Sequence, residues 1–289
     1  FRGTAAACAH AAGAAALMKQ ANPAWSPAQI KAELERNARN LGSSGKDNLY
    51  GSGLLKLAPP ANVHRLYFSH SATVGAWETE AGLVNLSSAT VQGVLRAYDH
   101  KGNAVSNELA VTLPPRGRRQ VTVASTFSNP DSIGYLIFQS ASPDVTGYMN
   151  FYIAGTCRTS VPAVRERDVN TGNIAVPHIA SSDTWSMGIS LVNTTSASKT
   201  VTFDFGGGLR KTRTIGPRAH DAFFLRDLFG GSGSRPSNLQ SALITNAAGI
   251  IGYSLFATDD TLTGTVLEDE SAYGLYFPHI AVTKDWETY

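Results

Sequence analysis

Three histidines recur ahead of tryptophan along this 289-residue chain, and imidazole is the side chain best suited to hold a metal or move a proton near neutral pH. His70, His178 and His279 each precede a tryptophan by seven residues, at Trp77, Trp185 and Trp286. Zinc-type chemistry would need further His, Cys or carboxylate ligands at close spacing, and no His-x-x-x-His pair or carboxylate cluster accompanies them. A sugar-binding platform would need exposed aromatics, which a single sequence does not separate from core ones. The repeated pair is therefore read as shared packing, with the indole filling a core and the imidazole hydrogen-bonding locally. Cys8 and Cys157 lie in unlike settings and are read as two separate buried or half-buried thiols, with no disulfide framework. Asp259-Asp260 and Ser181-Ser182-Asp183 fit no calcium loop and are read as turns. No metal or organic cofactor is identifiable from these residues.

The elements that would carry such groups fall into unlike parts. Nine alanines lie between Ala5 and Ala16, and alanine is the strongest helix former, so a helix is expected from Gly3 to Gln20, with side chains small enough to pack closely inside a larger domain. A second helix is signalled by Ser26 as N-cap, Pro27 at the first helical position and Gln29 completing a capping box. Ile30 and Leu34 then share a face. Gly42 to Gly45 is expected to end that helix, and Pro59-Pro60 marks a boundary. Beyond it come short runs rich in Val, Thr, Tyr and Phe, separated by turn clusters such as Asp99-His100-Lys101-Gly102.

Self-comparison makes this second part a repeat. Leu66-Tyr67-Phe68-Ser69-His70 corresponds to Ile174-Ala175-Val176-Pro177-His178 and again to Leu275-Tyr276-Phe277-Pro278-His279. Leu83-Val84-Asn85 corresponds to Leu191-Val192-Asn193, and Gly147-Tyr148 to Gly252-Tyr253, each Gly-Tyr pair being read as the close of a copy. Repeats about 100 residues long are the size of β-sandwich domains. The fold class expected is mainly β, with tandem β-sandwich modules after a helical segment. The divisions are 1–58 for the helices, 66–165 and 174–270 for two modules, and 275–289 for the first strand of a third.

Composition excludes some functions. The charges nearly cancel, 24 Lys+Arg against 22 Asp+Glu, whereas a nucleic-acid partner calls for a basic face. No strongly apolar run of 18 residues or more exists to span a membrane as a helix. Low charge, at 16%, with abundant Gly, Ser and Thr fits a secreted β-rich protein.

The first 57 residues carry a family resemblance. Gly3-Thr4-Ala5-Ala6-Ala7-Cys8-Ala9-His10-Ala11-Ala12-Gly13 resembles the nucleophile segment of subtilisin-like serine peptidases, whose pattern runs Gly-Thr-Ser-x-Ala-x-Pro-His-Val-Ala-Gly. Gln20-Ala21-Asn22-Pro23, Trp25-Ser26-Pro27-Ala28-Gln29-Ile30 and Asp47-Asn48-Leu49-Tyr50-Gly51-Ser52-Gly53-Leu54 continue the likeness in order. The resemblance implies an α/β catalytic domain of which residues 1–58 are the C-terminal segment, and a secreted serine endopeptidase acting through an acyl-enzyme. Ala5 then occupies the nucleophile position, its backbone N–H belonging to the oxyanion hole. Gly3, Thr4, His10 and Gly13 support the motif, His10 as a helix packing residue and not as the catalytic base. Ala9 replaces the family's proline and Ala11 its valine.

With no hydroxyl at position 5 and no assignable Asp or His of the triad, the chain is expected to be inert. Alanine there is an engineered replacement of serine or the mark of a pseudoenzyme, and the otherwise kept frame favours the first. The implied partners are the N-terminal part of the peptidase domain, in the same or a separate chain, and a protein or peptide substrate, with no nucleic acid and no membrane span. Calcium enters by family resemblance only. The rival reading is a non-catalytic adhesion or carbohydrate-binding β array carrying a pseudo-peptidase remnant.

Overall fold

A computed structural model describes residues 3–23, 25–42, 45–55, 63–180, 185–231, 238–258 and 261–269. The alanine run forms α1 (Thr4–Ala21), and α2 (Pro27–Asn37) starts as its sequence predicts. Ser26 Oγ accepts from the Gln29 amide, and Gln29 Oε1 accepts from the Ser26 amide at 2.7 Å. This satisfies donors that a helix start leaves unpaired. The helix ends earlier than the Gly42–Gly45 cluster, because Ala38 turns to extended backbone. The chain then folds back through isolated bridges pairing Arg39 with Leu54 and Asp47 with Gly51.

The rest of the described chain is antiparallel sheet with a single helical turn at Val123–Thr126 and three short 3-10 turns, so the molecule is mainly β. The first sandwich contains β1 (His64–Phe68), β2 (Trp77–Asn85), β3 (Val91–Tyr98), β4 (Ala104–Leu113), β5 (Arg118–Thr122), β6 (Tyr135–Ser140), β7 (Val145–Ile153), β8 (Thr156–Pro162) and β9 (Val164–Arg165). Its sheets run β4-β3-β6-β1-β9 and β5-β2-β7-β8. The second contains β10 (Ile174–Val176), β11 (Ser186–Asn193), β12 (Lys199–Asp204), β13 (Arg210–Ile215), β14 (His220–Phe224), β15 (Ala242–Thr245), β16 (Ile250–Ala257), β17 (Leu262–Val266) and β18 (Glu268–Asp269). Its sheets run β13-β12-β15-β10-β18 and β14-β11-β16-β17, the same order shifted by nine strands.

Side-chain alternation explains the layering. Along β7, Val145, Met149 and Phe151 are buried while Thr146, Tyr148 and Asn150 are only partly covered, the period of two that presents one face to a core. Between the first pair of sheets lie Leu66, Phe68, Leu83, Leu95, Phe138 and Phe151, and between the second lie Ile174, Leu191, Val201, Phe203, Ile244 and Phe256.

Two repeated motifs gain a physical cause. Asn85 and Asn193 are buried at the ends of β2 and β11, each bracing a turn. Asn85 Nδ2 donates to the Ala89, Leu113 and Pro114 carbonyls at 2.7, 3.2 and 2.9 Å, and Asn193 Nδ2 donates to those of Ala197, Ile215 and Gly216 at 2.7, 3.2 and 2.8 Å. The Gly-Tyr pairs lie within β7 and β16, so they do not close a copy. A Cβ on Gly147 would collide with the Gly82 carbonyl across the ladder, and one on Gly252 with that of Ser190. The third copy, 275–289, lies outside the described residues, as do Asp259-Asp260 and Ser181-Ser182-Asp183.

Candidate functional site

The motif residues all fall on the first half of α1. Gly3 is the N-cap, at φ 98°, a left-handed value that glycine adopts without strain. Thr4 and Ala5 occupy the first turn, exposed. The first helical bond runs from the Ala7 amide to the Gly3 carbonyl at 3.1 Å, so the amides of Thr4, Ala5 and Ala6 precede the helix ladder. No side chain caps them and no acidic residue stands in the first turn. Such a helix start carries a partial positive charge and unpaired donors, which stabilise an oxyanion developing beside it. The methyl group of Ala5 offers no atom that could attack a carbonyl.

His10 is exposed, its Nδ1 held 2.8 Å from the Ala6 carbonyl one turn back, where the ring nitrogen donates. Gly13 is exposed as well, with nothing within 4 Å of a Cβ placed there. Among the described side chains of α1, Ala6, Ala14 and Met18 are buried, beside an α2 that buries Ile30. Cys8, expected at least half-buried, is exposed, its neighbours one turn away being the small residues Thr4, Ala5, Ala11 and Ala12. Nothing in the described chain covers most of the small-residue surface, and an open apolar groove of about 580 Å³ runs between the helices, lined by Ala15, Ala16, Trp25, Ile30 and Leu34. The helix pair reaches the first sandwich through Arg96, whose Nη2 donates to the Gln20 carbonyl at 3.2 Å.

The repeated histidines separate. His178 is exposed, its ring 5.1 Å from that of Phe256. His70 is partly buried and meets His220 on β14, which the repeat did not single out and which in turn meets His100 in the β3–β4 turn. Their meeting depends on how two sandwiches pack, for which no short motif exists. Trp77 packs against the first core and Trp185 against the second. Among the described residues, no group of three or more His, Cys, Asp or Glu side chains is arranged to hold a metal ion. No helix of the described residues is long and apolar enough to cross a membrane.

Comparison with known proteins falls on the helical segment. The subtilase family model matches residues 1–53. Subtilisin BL of Lederbergia lenta is 57% identical over 55 residues, 19% of each chain. The alkaline protease of Shouchella clausii is 57% identical over 55 residues, 19% of this chain and 14% of its own. The minor extracellular protease Epr of Bacillus subtilis is 34% identical over 79 residues, 27% of this chain and 12% of its own. The chain thus spans about a fifth of the first of these relatives. No solved structure matches it. The resemblance in the α1–α2 segment is thereby borne out: over residues 1–53 this chain is similar to the subtilase family, with Ala5 in the first turn of the helix that carries the motif.

Proposed function

We propose that this chain is the C-terminal part of a secreted subtilisin-like serine endopeptidase, with residues 1–58 closing the catalytic domain and the β sandwiches positioning it. The observation that carries the reading is the ordered match of residues 1–53 to the subtilase family, on a helix whose first turn presents free amides and no competing acid. In the working enzyme a serine at position 5 attacks the scissile carbonyl and passes its proton to a histidine oriented by an aspartate, both supplied by the N-terminal part of the peptidase domain. The backbone amide of residue 5 receives the oxyanion, and water later releases the acyl group. With alanine in that place the chain binds no acyl group and is inert. The uncovered α1 surface and the α1–α2 groove support a missing catalytic sheet as the natural cover. Secretion is supported by the extracellular relative from Bacillus subtilis.

The test is Ala5→Ser in the full-length polypeptide, assayed on casein. The reading expects hydrolysis at least about a thousandfold above that of the alanine form. A correctly folded serine form, shown by circular dichroism, that leaves casein intact would shift the function to the β array.

A further inference from the structure

Three imidazoles converge where the two sandwiches meet. His220 is buried, 3% exposed. Its Nδ1 lies 2.8 Å from His100 Nδ1, and its Nε2 lies 3.1 Å from His70 Nδ1 and 3.0 Å from Ser190 Oγ. Ser190 Oγ in turn donates to the Ser69 carbonyl at 2.8 Å. One set of neutral tautomers satisfies every contact. The His100 Nδ1–H donates to His220 Nδ1, and the His220 Nε2–H is shared between His70 Nδ1 and Ser190 Oγ. With His70 and His220 both protonated, the His70 Nδ1–H and the His220 Nε2–H would be set face to face at 3.1 Å. His100 is exposed, so the row has an end open to solvent from which a proton can enter.

The same row ties the sandwiches together. His100, His70 and Ser69 belong to the first, His220 and Ser190 to the second. Around them the His220 amide donates to the His100 carbonyl at 3.0 Å, and Tyr135 Oη donates to the Arg218 carbonyl at 2.7 Å. Tyr67, Tyr135 and Ile137 of the first pack with Val192 and Ile251 of the second. The backbones approach so closely that a Cβ on Gly102 would collide with the Arg218 carbonyl.

We propose that this joint is an acid-sensitive clasp, holding the two sandwiches in contact while His70 and His220 are neutral and releasing them when both are protonated. The other groups facing the row offer a cation no compensation. Tyr98, Tyr135 and Tyr253 are held neutral by burial, which raises each of them. Arg218, beside Tyr135, is itself a cation. On His100's own turn, Lys101 is a second cation, and the Asp99 carboxylate is committed to the Lys101 and Asn103 amides and to Asn103 Nδ2. Asp221, next to His220, is paired with Arg213.

Burial pushes the His70 imidazole down to about 4, with a smaller push from His100, and burial likewise drives His220 down, with His70 and His100 adding to it. An imidazole in water titrates near 6.5. The separated sandwiches therefore bind more protons than the joined pair as pH falls below about 6.5, so the contact is fully present above that value and is lost as pH falls toward about 4.

The experiment is small-angle X-ray scattering with far-UV circular dichroism on the whole chain, from pH 7.5 to 4.0. The radius of gyration should rise between pH 6 and 4 while the sheet signal stays constant, with the separation constant growing about a hundredfold per pH unit for two protons. His70→Gln keeps an amide for hydrogen bonding but cannot titrate there, and should cut that slope to about tenfold per unit. An unchanged radius, loss of the sheet signal together with the rise, or an unaltered slope in His70→Gln would each overturn the clasp.

Discussion

The helical segment and the β array solve the problem of burial in opposite ways. Among the described side chains of α1, Ala6, Ala14 and Met18 are buried, while Leu17, Leu49, Tyr50 and Leu54 stand exposed in the same segment. In the sandwiches, Phe68, Leu83, Phe138, Phe151, Phe203 and Leu191 are sealed at 2% exposure or less. A fully buried side chain of that size is stabilised by about 1.5–3 kcal/mol, and most of the stability of a helix in a protein comes from packing an apolar face, not from propensity. The part of the chain with recognisable relatives is thus the part that holds itself together least. Family resemblance follows residues 1–53, whereas independent stability follows the alternation of apolar residues in the strands.

Truncating a sealed core residue should show this contrast most strongly. Phe203→Ala, deep in the second sandwich, should cost about 4 kcal/mol in denaturant unfolding. A loss below about 1 kcal/mol would mean that the sandwich is not the stable body. Next comes Asn193→Ala, which removes the three buried bonds its amide donates to the Ala197, Ile215 and Gly216 carbonyls and should cost about 2 kcal/mol. Asn85→Ala should match it in the first sandwich, and a large inequality would break the equivalence of the two copies. Smallest is Ser26→Ala, which removes the α2 cap and should cost about 1 kcal/mol of helix stability. It should lower the helical signal in circular dichroism without moving the main thermal transition, since the helices lie apart from both cores.

The start of α2 was legible because Ser26, Pro27 and Gln29 act within one turn, where side-chain chemistry decides geometry. Its end was not, because Gly42 and Gly45 lie beyond a chain reversal that Ala38 already begins. The repeat was legible through Leu-Val-Asn and Gly-Tyr, yet the meaning of each pair needed the facing strand. Gly147 and Gly252 are small because a carbonyl lies opposite, and that carbonyl belongs to another part of the sequence. His70 is marked in the sequence by Trp77 at fixed spacing, whereas the histidine it meets, His220, lies 150 residues away. The position of Ala5 could be read because the family motif is local. The exposure of Cys8, His10 and Gly13 could not, since it depends on what else covers the helix.

The most direct test of the contrast between the two regions is hydrogen–deuterium exchange across the whole chain at neutral pH. Amides in the central strands β2, β7, β11 and β16 should exchange only through global unfolding, and those of α1 and α2 should exchange through local opening at a free energy near zero. Protection of α1 equal to that of the central strands would contradict the account, because it would make the alanine helix self-sufficient.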